Sequence, residues 1–137
     1  MIKDGLFIKQ KFEAFFETQI TSQPTSLLRG VNEILVYYLR KCGFSSVETA
    51  YYLGYDTHIP TNTYLRVINK AEKQDPLLLS AYDVICEAAM NGETTFLEFA
   101  NLYKKDNSRL GGVVNDLLRR HYRTKLSNVK KEKKANL

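Results

Sequence analysis

The chain has 137 residues, 44% of them hydrophobic and 26% charged, with a formal net charge of +5. That length and balance suit one compact domain burying roughly two-thirds of its unfolded surface, and they exclude wholesale disorder. The basic excess suits an anionic partner such as nucleic acid without demanding one.

Helix signals run the length of the chain and strand signals are nearly absent, which predicts an all-α, compact bundle of about six or seven helices. The first helix is expected over Asp4 to Thr18, with Ile8, Phe12, Phe15 and Gln19 on one side and Phe16 widening the apolar face. This opening segment, residues 1–24, mixes Lys, Glu and Gln with its aromatics, so it lacks the unbroken apolar core of a signal peptide. Ser22-Gln23-Pro24-Thr25 interrupts the pattern. A second helix from Ser26 to Cys42 then carries Leu27, Val31, Ile34, Leu35, Tyr38 and Leu39 as a buried stripe. The longest apolar run, Ile34 to Leu39, is far too short to cross a bilayer, so no membrane association and a cytoplasmic location are expected.

Ser45 to Lys73 reads as two short helices joined by a glycine turn, the shape of a helix-turn-helix. Ser45 and Glu48 form an S-x-x-E capping box, in which each side chain satisfies a backbone N–H left unpaired at the helix start. Val47, Ala50, Tyr51 and Leu53 follow as the apolar stripe, and Gly54 is placed to end the helix in a left-handed turn. Beyond Pro60, Leu65, Ile68 and Ala71 are expected to face inward, with Asn62, Arg66, Asn69, Lys70 and Lys73 on the opposite side. Amides and cations on one helical face match a major groove: amides pair with adenine, guanidinium with guanine, and ammonium groups neutralise phosphates.

Asp75-Pro76 signals a new helix, capped by the aspartate and running to about Met90, where Asn91-Gly92 closes it. Residues 25–91 thus make up the helix-turn-helix module, and 92–125 a further helical pair. Thr95-x-x-Glu98 is a second capping box, and its helix turns Phe96, Phe99, Ala100 and Tyr103 inward. The last helix puts Leu110, Val113, Val114, Leu117, Leu118 and His121 on one side and Arg109, Arg119, Arg120 and Arg123 elsewhere. Gly111 and Gly112 weaken its first turn by about 2 kcal/mol relative to alanines. Residues 126–137 lose the apolar pattern and read as a solvated, disordered basic tail, or else as a phosphate-tracking arm. VETAYYLGYDT also has a faint echo fifty residues on in LEFANLYKKDN, each followed by another helix.

From Gly30 to about Glu87, about 58 of the 137 positions, the chain resembles the C-terminal DNA-binding domain of the bacterial replication initiator DnaA, of the Trp-repressor-like helix-turn-helix group. The features that carry the resemblance are a long helix ending in Tyr38-Leu39-Arg40-Lys41 and a short Ser-initiated helix with Glu48 and Ala50. After them come the Gly54-Tyr55-Asp56 turn, a threonine-rich helix, Lys70-Ala71-Glu72 and Asp75-Pro76. The resemblance implies base reading by the residues that follow the turn aspartate. In one register these are Thr61-Asn62-Thr63-Tyr64, with Thr57 to Pro60 inserted; in another the helix begins at Asp56, brings His58 to the groove and places Pro60 in its first turn. The first is favoured because Ile59, before a proline, is pushed out of the helical region. The resemblance also implies a minor-groove arginine before the short helix, a place for Arg40 or Lys41. The family's ATPase phosphate loop, G-x-x-x-x-G-K-[ST], is missing.

Cys42 and Cys86 lack C-x-x-C spacing and are expected to be reduced and at least partly buried. His58 and His121 have no ligand-spaced partners, His121 reading as a half-buried packing residue, and no nucleophile or carboxylate pair can be assigned. The expectation is therefore neither enzyme, metal site nor cofactor. It is a double-stranded DNA-binding protein of replication, transcription control or a mobile element, using Arg40, Lys41, Thr61, Asn62, Thr63, Arg66, Asn69, Lys70 and Lys73. Tyr55 and Tyr64 are assigned to packing, with stacking on sugar or contact with a thymine methyl as the alternative. The alternative function is a helical interaction module whose partners are other replication or regulatory proteins, with no DNA bound.

Overall fold

The computed structural model describes residues 4–135, and side chains as far as 131. Among these residues it is all-α: α1 Gly5–Phe16, α2 Ser26–Lys41, α3 Ser46–Tyr52, α4 Ile59–Gln74, α5 Pro76–Asn91, α6 Phe96–Tyr103 and α7 Arg109–Ala135. Local chemistry sets most of these starts. Asp4 accepts from the N–H groups of Leu6 and Phe7 at 3.1 and 3.2 Å, and Thr25 accepts from that of Leu28 at 3.2 Å. Both expected capping boxes form, Ser45 with Glu48 and Thr95 with Glu98. Asp75 departs from expectation: its carboxylate caps nothing and instead takes two hydrogen bonds from Arg109, at 3.1 and 3.2 Å.

Helix α2 is the central strut. Val31, Leu35, Val36 and Leu39 are fully buried, and the helix packs against α1, α3, α4, α5 and α7. At one flank Phe15 of α1 meets Phe96 and Phe99 of α6 edge-on, with centroids 6.1 and 5.9 Å apart, an arrangement favoured by the ring quadrupoles. Helix α1 stops at a left-handed Glu17, so the expected inward Gln19 lies beyond it and is exposed while Ile20 fills the buried place.

The faint sequence echo extends to a repeated three-helix unit. Helices α5, α6 and α7 begin at 76, 96 and 109, each fifty residues after the starts of α2, α3 and α4 at 26, 46 and 59. Buried positions repeat in the same register, Val31 with Ala81, Leu35 with Ile85, Leu39 with Ala89 and Ala50 with Ala100. The units differ in what the third helix does. Val113 and Leu117 of α7 are buried, and a Cβ built on Gly30 of α2 would come within 2.7 Å of Leu117. Their counterparts on α4, Thr63 and Val67, face solvent. Helix α7 spends this face on docking, and α4 keeps its own free.

Two glycines are required by the path of the chain. Gly54 has φ +89° and carries the left-handed turn after α3. Gly111 lies so close to the preceding loop that a Cβ there would sit 1.9 Å from the carbonyl oxygen of Asp106. The expected tail is corrected: α7 runs without a break past 125 to Ala135, exposed from Lys125 to Lys131. Lys and Glu are good helix formers, and twelve or more preceding helical residues remove the nucleation cost, so an apolar stripe is not needed for the helix to continue. The last two positions of that tail, 136–137, lie outside the described residues.

Candidate nucleic-acid interface

Helix α3 is short, and its two buried positions are Thr49 and Ala50. This corrects the expected stripe: Leu53 is fully buried behind them, but Val47 is 66% and Tyr51 73% exposed. Phe44, just before the helix, and Tyr52 fill the inner side instead, with ring centroids 5.7 Å apart.

The start of α4 combines features of both registers. The helix begins at Ile59, with His58 at the cap and Pro60 in the first turn, where its missing N–H would have no helical partner anyway. His58 makes no side-chain cap bond. The hydroxyl of Thr61 instead donates back to the His58 carbonyl, and Thr61 is completely buried. Thr61 is thereby withdrawn from the groove-facing set: its position turns it toward the core, where a short β-branched side chain fits and a hydroxyl finds a local carbonyl.

The rest of the α4 set is brought together as expected. Leu65, Ile68 and Ala71 lie on the inner side, and Asn62, Thr63, Arg66, Asn69, Lys70 and Lys73 lie outside or at its margin, Asn62 being half-buried. None of these six side chains has a hydrogen bond or ion pair among the described residues. Asn62 and Arg66 stand one turn apart, so their Cβ atoms are about 6 Å from each other. Lys73 lies two turns beyond Arg66, about 10 Å along the axis. Amide and guanidinium groups thus lie near the start of the helix and ammonium groups near its end, donor types whose chemistry suits base edges and phosphates respectively. Val67, 41% exposed beside Arg66, offers an apolar contact of the kind a thymine methyl accepts.

Arg40 and Lys41 end α2 and border, with Asn69 and Glu72 of α4, a cleft of about 430 Å³. Neither is a free arm. Arg40 donates to the Phe44 carbonyl at 2.8 Å, which ties down the loop before α3. Lys41 bridges Asp83 at 2.8 Å, and that bond raises the pKa of its ammonium. The pair is exposed, at 56% and 45%, and such pairs contribute under about 1 kcal/mol, so Lys41 is readily released to a phosphate. Arg40 is more firmly held.

Tyr55 and Tyr64 brace the turn. Asn32 of α2 donates to the Tyr64 hydroxyl at 3.5 Å, and burial beside Tyr64 pushes the Tyr55 phenol up in pKa. Both rings pack against the core, so their part is to hold the angle between α3 and α4. Cys42 and Cys86 are free thiols, and burial raises Cys86 well above the usual thiol range. Among the described residues no helix is long and apolar enough to cross a membrane.

Compared with protein-family models, with curated proteins and with solved structures, the chain finds no match.

Proposed function

We propose that the protein binds double-stranded DNA, laying the outer face of α4 in the major groove with α3 behind it. The observation that carries this reading is the free face itself. Asn62, Arg66, Asn69, Lys70 and Lys73 lie along the outer side and margin of α4, where Thr63 and Val67 also face solvent, whereas Val113 and Leu117, which match those two on α7, are buried. A helix of 16 residues, about 24 Å long, reaches across the groove and meets backbone at its far end. Asn62 and Arg66 read base edges, and Lys70 and Lys73 contact phosphates. The likeness of residues 30–87 to the initiator's DNA-binding domain supports the same assignment. The buried Thr61 and the displaced His58 imply a target other than that family's box.

A second reading has its own observation. Val47, Tyr51 and Ile59 are 66%, 73% and 64% exposed on the same hairpin, apolar groups that suit a helix-in-groove protein contact. Salt separates the two. Titration of the protein with a random-sequence duplex at rising salt is expected to show log affinity falling steeply and linearly with log salt, as counterion release requires. Absence of duplex binding at low salt would transfer the assignment to the protein-contact reading.

A further inference from the structure

A cleft of about 550 Å³ lies between the start of α2 and the second half of α7. Three cations line it, Arg29 from α2 and Arg123 and Lys131 from α7, together with the hydroxyls of Ser26, Thr124 and Ser127. No carboxylate is among its lining residues, and none of the three cations enters an ion pair among the described residues. Three like charges around one concavity repel one another, so the arrangement is stabilised by an anion between them.

The walls are built, not incidental. Thr124 of α7 accepts from the N–H of Leu27 at 3.1 Å, Arg120 donates to the Ser26 carbonyl at 3.3 Å, and Arg123 reaches the Ser26 hydroxyl at 3.4 Å. The N–H groups of Leu27 and Leu28 are already satisfied by Thr124 and Thr25, so a ligand here is held by side chains, not by the helix end. Guanidinium groups with flanking hydroxyls are suited to tetrahedral oxyanions, which accept several bonds at once.

We propose that this cleft is a phosphate-binding site, its ligand a phosphoryl group carried either by a free phosphate compound or by a nucleic-acid backbone. The site does not depend on base reading by α4. In the second case it would grip one strand outside the groove.

The test uses the full chain, the variant Arg29→Glu/Lys131→Glu, and Lys105→Glu as a control in the loop before α7. Arg123 lies 14 residues beyond the start of α7, about 20 Å along its axis from that loop. Circular dichroism establishes that each is folded. Thermal unfolding is followed with inorganic phosphate against chloride of equal ionic strength, and duplex binding is followed against salt. A saturable stabilisation of the wild type by phosphate, lost in the cleft variant and kept in the control, supports the site and assigns it to free phosphate compounds. A fall in the duplex salt slope by about one unit or more in the cleft variant, beyond any change in the control, supports the site and assigns it to the backbone. If phosphate stabilises all three proteins alike and the cleft and control variants bind duplex alike, the proposal is overturned.

Discussion

Thr49 and Thr61 are both completely buried, yet their hydroxyls stand in opposite positions. That of Thr61 donates to the His58 carbonyl, whereas that of Thr49 has no hydrogen-bond partner among the described residues. A buried hydroxyl without a partner destabilises, while a paired one adds about 1 kcal/mol. Valine replaces the hydroxyl with a methyl of similar size. Thr61→Val is therefore expected to lower stability by about 1 kcal/mol, and Thr49→Val to leave it unchanged or raise it, as read by urea denaturation. Equal losses in the two variants would show that the α4 start does not rely on the Thr61 bond. The burial of Thr61 was not legible beforehand. Its neighbours Asn62 and Thr63 are polar, and only the approach of α4 to α2 decides which of the three turns inward.

At the scale of elements, the start of α7 offers a contrast between adjacent glycines. A Cβ at Gly111 would meet the backbone oxygen of Asp106 at 1.9 Å, but one at Gly112 would meet only the end of Arg109, at 3.6 Å. Gly112→Ala is expected to stabilise by up to about 1 kcal/mol through helix propensity, and Gly111→Ala to destabilise by about 1–3 kcal/mol as the turn is forced open. Matching melting temperatures for the two variants would contradict the close approach. Helix starts were readable because their causes are local: a capping box needs only residues three apart, and both boxes form. Which face of α3 points inward was not readable. Over seven residues, Val47 and Tyr51 make as regular a stripe as Thr49, Ala50 and Leu53, and tertiary packing chose the latter. The continuation of α7 was missed for a different reason, since the apolar stripe ends well before the helix does.

For the molecule as a whole, the repeated three-helix unit explains why one side is available for a partner. Each third helix docks on the first helix of the other unit, α7 on α2 and α4 on α5, but Thr63 and Val67 of α4 stay exposed where Val113 and Leu117 of α7 are buried. That docking encloses a polar centre, in which Tyr82 of α5 donates to Glu33 of α2 and burial raises the Glu33 carboxyl above its ordinary value of 4.5. A carboxyl whose folded pKa is raised contributes stability that is fully present below the unfolded value and is lost as pH rises through the folded one. Glu33→Gln keeps an acceptor for Tyr82 and cannot ionise. Its unfolding free energy is expected to gain on the wild type as pH rises from 4 toward neutral, and parallel profiles would refute the burial effect. The outer face of α4 was legible from spacing alone, because Asn62, Arg66, Asn69 and Lys73 recur at helical intervals. The cationic cleft was not, because Arg29 and Arg123 are distant in sequence and meet only through the docking of α7 on α2.

The central claim is that α4 reads DNA, and it is tested most directly by equilibrium binding to a duplex selected from a random pool, with the wild type set against Asn62→Ala, Arg66→Ala and Lys73→Ala. The account predicts that each of the first two costs about 1–3 kcal/mol on the selected duplex and relaxes preference at one or two base pairs. Lys73→Ala should weaken selected and random duplexes alike and lower the salt slope by about one unit. If folded Asn62 and Arg66 variants keep the affinity and base preference of the wild type, α4 does not read DNA.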